Sequence, residues 1–68
     1  MMNHKMKAKR VLLNMSQADL ARKIKVSRQT IILIEQGKYN PSLKLCLAIC
    51  YALNTTLDEL FWRDEDEQ

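Results

Sequence analysis

The 68-residue sequence predicts an all-α fold of five short helices, on three observations. Glycine and proline each occur once, at Gly37 and Pro41, too little punctuation for the many tight turns of an all-β domain. Small hydroxyl residues stand ahead of runs with apolar positions at helical spacing: Ser16, Ser27, Ser42, and Thr56 or Thr55. A side-chain oxygen there can accept from the orphan amides of a first turn. Apolar residues make up 47% of the chain, enough for one core. At this length the core is small, and association would help it.

The first helix is expected over residues 4–14, "HKMKAKRVLLN", with Met6, Arg10 and Leu13 on one side and Lys5, Lys7 and Lys9 on the rest. Val11 and Leu12 widen its apolar surface beyond a minimal stripe. Ser16 caps a second helix, Gln17 to Ile24, with Asp19 completing a short-armed capping box. Leu20, Ala21 and Ile24 share its inner face, and Arg22 and Lys23 stand near its C-terminus, where cations suit the helix dipole. "KVS" is a three-residue turn into a third helix that Ser27 caps and Gly37 stops, as a left-handed C′ residue. After the loop "GKYNPS", Ser42 caps a fourth helix, Leu43 to Leu53. Being apolar nearly all round, it is expected at the centre, with Leu47 and Tyr51 read as surface apolars or part of a subunit interface. "NTT" breaks it, and Leu57 to Phe61 form a short fifth helix with Asp58 and Glu59 in its first turn. One domain over residues 1–63 and an acidic tail over residues 64–68 are the expected organisation.

The third helix carries the chemistry. Thr30, Ile31, Ile32, Leu33 and Ile34 are strand-like by propensity, yet caps at both ends make the stretch helical. At about 100° per residue, Ile31 and Ile34 fall on an inner face, with Glu35 beside the seam. Arg28, Gln29, Ile32, Leu33 and Gln36 fall outside. A short helix, a three-residue turn and a second helix with Arg and Gln outward form a helix-turn-helix arrangement. Arg pairs with the two acceptors of guanine, Gln with the acceptor and donor of adenine, and aliphatic groups with thymine methyls.

Charge agrees. Residues 1–44 hold ten Lys or Arg against two acids, and residues 45–68 one Arg against six acids, so +3 overall divides into +8 and −5. A basic part of this kind suits a polyanion. Cys46 and Cys50 are too few for a disulfide framework and read as small buried hydrophobes, with free thiols fitting a reducing cytoplasm. No signal peptide or membrane-length apolar run is seen. No catalytic set, phosphate loop or metal cluster stands out, so neither enzymatic activity nor a cofactor is expected.

"SQADLARKIKVSRQTIILIEQGKYNPSL" closely resembles the Cro and phage-repressor type of helix-turn-helix regulator, the xenobiotic-response-element family, over about residues 5 to 61. Gln17, Ala21, Val26, Ser27, Gln29, Thr30, Ile31, Ile34, Glu35 and Gly37 carry the match. The resemblance implies a five-helix, lambda-repressor-like domain that binds double-stranded DNA as a homodimer on a two-fold operator. It implies base contacts from Arg28, Gln29, Ile32 and Leu33, and phosphate contacts from Gln17, Ser27, Thr30, Gln36, Lys38, Tyr39 and Asn40. It also implies an ion pair between Arg10 and Glu35 that sets helix packing. Leu57, Phe61 and Trp62 are the candidates for a dimer interface, with Trp62 as its anchor. Two departures stand out: Lys25 occupies a turn position where the family has Gly, and Ile32 and Leu33 stand where polar residues are common. The function expected is a cytoplasmic transcriptional regulator, a repressor. Its rivals are an antitoxin-type DNA-binding protein that also holds a toxin, and a protein-interaction module on the same fold.

Overall fold

The first four described helices end in the same way, although the chain has one glycine. The computed structural model describes residues 3–61. It contains α1 (His4–Leu12), α2 (Gln17–Ile24), α3 (Arg28–Glu35), α4 (Leu43–Ala52) and α5 (Leu57–Phe61), with no strand among the described residues. After α1, α2, α3 and α4 one residue turns left-handed: Asn14 at φ 56°, Lys25 at 62°, Gly37 at 74° and Asn54 at 55°. At each, the next amide reaches back five residues, as in Met15 to Arg10, Val26 to Ala21, Lys38 to Leu33 and Thr55 to Cys50, all at 2.9 Å. The left-handed residue's own amide reaches back three, to Val11, Arg22, Ile34 and Tyr51, and this double closure satisfies carbonyls that a helix end otherwise orphans. Asn tolerates the left-handed region and Gly is free in it, whereas Lys25 bears a cost of about 1 kcal/mol there.

The helix starts follow the hydroxyl residues. Ser16 and Asp19 form the capping box, with reciprocal bonds of 3.0 and 2.9 Å. Ser27 and Ser42 accept from Thr30 and Leu45. Thr56, not Thr55, caps α5, its Oγ1 accepting from the Glu59 amide at 3.3 Å. Asn3 caps α1 through Oδ1, 3.0 Å from the Met6 amide, and its Nδ2 donates to the Leu60 carbonyl. That cap therefore fastens α1 to the end of α5.

The core is built from Met6, Leu20, Ile31, Ile49 and Leu53, all fully buried, with Ala21, Ile34, Cys50, Ala52 and Leu60 around them. Ile31 and Ile34 face inward as their spacing predicts, and packing outweighs the weak helix propensity of the β-branched run.

Two expectations are corrected. α1 stops at Leu12 because Asn14 turns left-handed, so Leu13 is exposed and Met15 packs against the core instead. α4 is not enclosed on all sides: Leu43, Leu47 and Tyr51, at i, i+4 and i+8, are 66%, 50% and 89% exposed. Its inner face takes the whole cover that the other helices supply. No described helix is long and apolar enough to cross a membrane.

Candidate nucleic-acid interface

The candidate interface begins at the turn between α2 and α3. Lys25 reverses the chain in the left-handed region, and Ser27 opens α3 with its Oγ 3.1 Å from the Thr30 amide. The Ser27 and Thr30 hydroxyls lie 2.9 Å apart. Both side chains of this predicted phosphate-contacting pair are thus engaged in setting the first turn of α3. Arg28 and Gln29 follow at once, both exposed. Ile32 and Leu33 are half-buried on the same side, and Gln36 at the far end is exposed.

What holds this helix in place is a buried charge cluster. Glu35 is 5% exposed and Arg10 7%. Arg10 Nε donates to Glu35 Oε2 at 2.9 Å, and Nη2 donates to Oε1 at 3.4 Å. Arg10 Nη1 donates to the Met15 carbonyl at 2.9 Å. Gln17 Nε2 donates to Glu35 Oε1 at 3.2 Å, and the Glu35 carbonyl accepts from the Asn3 amide at 2.8 Å. One carboxylate so ties α1, the start of α2 and the end of α3 together. Among the described residues no buried side-chain polar atom lacks a partner. Removing one member would leave the other charge buried and alone, which costs far more than the pair contributes.

The family resemblance implies the Arg10–Glu35 pair, but not the Met15 carbonyl or the Gln17 donor that complete the cluster. The carbonyl leaves no trace in the residue type. The sequence places Gln17 only as a phosphate contact, whereas here it also serves the carboxylate. Its Nε2 keeps a second hydrogen, and the amides at the α2 N-terminus point away from the helix body.

After α3 the loop is short and shaped by Gly37. The Gly37 amide donates to the Ile34 carbonyl at 3.1 Å and the Lys38 amide to Leu33 at 2.9 Å. Gln36, Lys38, Tyr39 and Asn40 are all exposed along it. The helix start, the outer face of α3 and this loop therefore carry the residues assigned to DNA, apart from half-buried Gln17 and Thr30. Asp19 and Arg22 add an exposed ion pair of 3.0 Å at the α2 start. The Ser16 amide beside Asp19 holds its carboxyl below the usual range.

Leu57 and Phe61 are half-buried and pack against the core. Trp62 and the acidic tail, residues 64–68, lie outside the described residues. Beside Leu57, a cleft between α4 and α5 is lined by Leu47, Tyr51 and Asp58. Cys46 is half-buried and Cys50 buried, both free, and desolvation pushes both thiols up. Among the described residues no group of His, Cys, Asp and Glu could hold a metal ion.

Residues 6–60 match the model of the helix-turn-helix family. An uncharacterized HTH-type transcriptional regulator of Methanocaldococcus jannaschii is 48% identical, over 97% of this chain and 100% of its own length. A second, from Archaeoglobus fulgidus, is 42% identical over 97% of this chain and 93% of its own. The HTH-type regulator YgzD of Bacillus subtilis is 40% identical over 96% and 98%.

Proposed function

The chain belongs to the helix-turn-helix family, and from that premise we propose that it represses transcription by placing α3 in the major groove of a two-fold operator. It is a DNA-binding regulator and not an enzyme. The observation that carries the reading is the division of α3: Ile31, Ile34 and Glu35 are locked inside, while Arg28 and Gln29 stand exposed at its N-terminal end. That end of a groove helix meets the base edges. Arg28 and Gln29 read bases, with Ile32 and Leu33 against methyl groups. The amides at the start of α2, Gln17, Ser27, Thr30, Gln36, Lys38, Tyr39 and Asn40 hold phosphates on either side. A protein of this kind works in the cytoplasm, where the DNA is.

A homodimer would set two such helices about 34 Å apart, one turn of DNA. The exposed ridge Leu43, Leu47 and Tyr51, with Leu57 beside it, supports a self-complementary apolar interface. A second reading, in which the chain also holds a protein partner such as a toxin, draws on Val11, Leu12 and Leu13. These are exposed at the end of α1, a different helix from the proposed dimer ridge. Co-purification of one small, stoichiometric partner would favour it.

The test is a gel shift on the DNA upstream of the protein's own gene. Binding should fall steeply with salt, because phosphate neutralisation releases counterions. If Arg28→Ala and Gln29→Ala shift that DNA as well as the parent does, the assigned reading face is wrong.

A further inference from the structure

We infer that α3 reads a 5-methylated pyrimidine close to a guanine, so that 5-methylcytosine can replace thymine in the site and cytosine methylation strengthens binding. The inference rests on α3 being the groove helix.

Ile32 and Leu33 are the observation behind it. They are only half-buried, unlike Ile31 and Ile34, and they share a side of α3 with Arg28 and Gln29. Arg28 with Ile32, and Gln29 with Leu33, are spaced i, i+4, so each polar group has an aliphatic group one turn further along the same face. That turn advances about 6 Å, close to two base steps of about 3.4 Å each. An Arg engaged with guanine O6 and N7 therefore brings Ile32 over a base within two steps of it.

An aliphatic side chain forms no hydrogen bond with a base edge. The one apolar group that the four bases present in the major groove is the C5 methyl of thymine. Cytosine has only a hydrogen at C5, and its N4 donor would lose water against Ile32 or Leu33 with nothing gained. Methylation at C5 of cytosine puts an apolar group where thymine has its own. The base then offers the aliphatic pair the same contact, while Arg28 still has a guanine to read. The surface thus couples a charge-assisted contact that fixes register with an apolar contact that senses one methyl group.

The experiment alters the DNA, so folding of a variant is not at issue. The full chain is used to select a tight duplex from a random pool. Thymines in its half-sites are then replaced one at a time by uracil, which removes only the methyl. The thymine that responds is next replaced by cytosine, paired with guanine, and by 5-methylcytosine. Uracil should weaken binding about fourfold at the responding position, the value of one buried methyl group, and 5-methylcytosine should bind tighter than cytosine by about the same factor. Both factors should shrink in Ile32→Ala or Leu33→Ala, while substitution of the guanine near by by 7-deazaguanine still weakens binding. If no uracil substitution matters, or 5-methylcytosine binds no better than cytosine, the inference is overturned. Should Arg28→Ala still lose the shift in that case, the groove reading stands without it. Should Arg28→Ala bind as the parent does, both fall.

Discussion

α3 and α4 solve the same inner problem and differ on the outside. Each buries an aliphatic face against the core: Ile31 and Ile34 in α3, Ile49, Cys50 and Ala52 in α4. The outer face of α3 begins with Arg28 and Gln29 and ends at Gln36, while that of α4 presents Leu43, Leu47 and Tyr51. Polar groups with convergent donors suit a polyanion. A ridge of large apolar groups suits another apolar surface, because isolated it costs solubility and gains nothing. Under the proposed reading the two outer faces serve two partners, DNA on α3 and a second copy of the chain on α4.

The largest expected effect breaks the mounting of α3 and not its reading face. Arg10→Ala or Glu35→Ala leaves a buried charge unpaired and should destabilise the domain by about 3–5 kcal/mol, read as a lower urea midpoint. The double variant Arg10→Met, Glu35→Leu should recover most of that loss.

Next comes the α4 ridge. Tyr51→Ser together with Leu47→Ser should cost the proposed dimer at least about 2 kcal/mol, seen as monomer in sedimentation equilibrium while far-ultraviolet dichroism is unchanged. An unaltered dimer would move the interface elsewhere.

On α3, Arg28→Ala should lose about 1–3 kcal/mol of binding to the specific site, read by gel shift, with the urea midpoint and sedimentation unchanged. A loss of dimer in this variant would undo the separation of the two faces.

Smaller again is Lys25→Gly, which relieves the left-handed strain and should raise stability by up to about 1 kcal/mol in urea. The smallest effect is one of pH. The Asp19 carboxyl is held low by the Ser16 amide, so the cap it makes is present above the ordinary carboxylate range and is lost as pH falls through its lowered value. Asp19→Asn should flatten that part of the stability profile, measured by urea unfolding across acid pH.

Much of this was written locally. Ser16, Ser27 and Ser42 announce their helices because a hydroxyl one residue before a helix has one evident task, and the outer Arg28 and Gln29 follow from a count of about 100° per residue. The turn at Gly37 is legible for the same reason, whereas "NTT" marks only a break around Asn54 and residues 4–14 read as helix through Asn14. Asn is compatible with both helix and left-handed turn, so its type alone did not say where α1 stops.

Backbone state, then, is inscribed in single residues and their near neighbours, since caps, periodicity and turn geometry act over a few positions. Exposure is not. Leu13 is exposed while Met15 packs against the core, Leu43 stands uncovered on α4, and Gln17 turns inward to Glu35. Each of those outcomes depends on which distant element arrives to cover a surface or accept a proton. The described helices cover only one side of α4, and that outcome belongs to the assembled fold and to no stretch of its sequence.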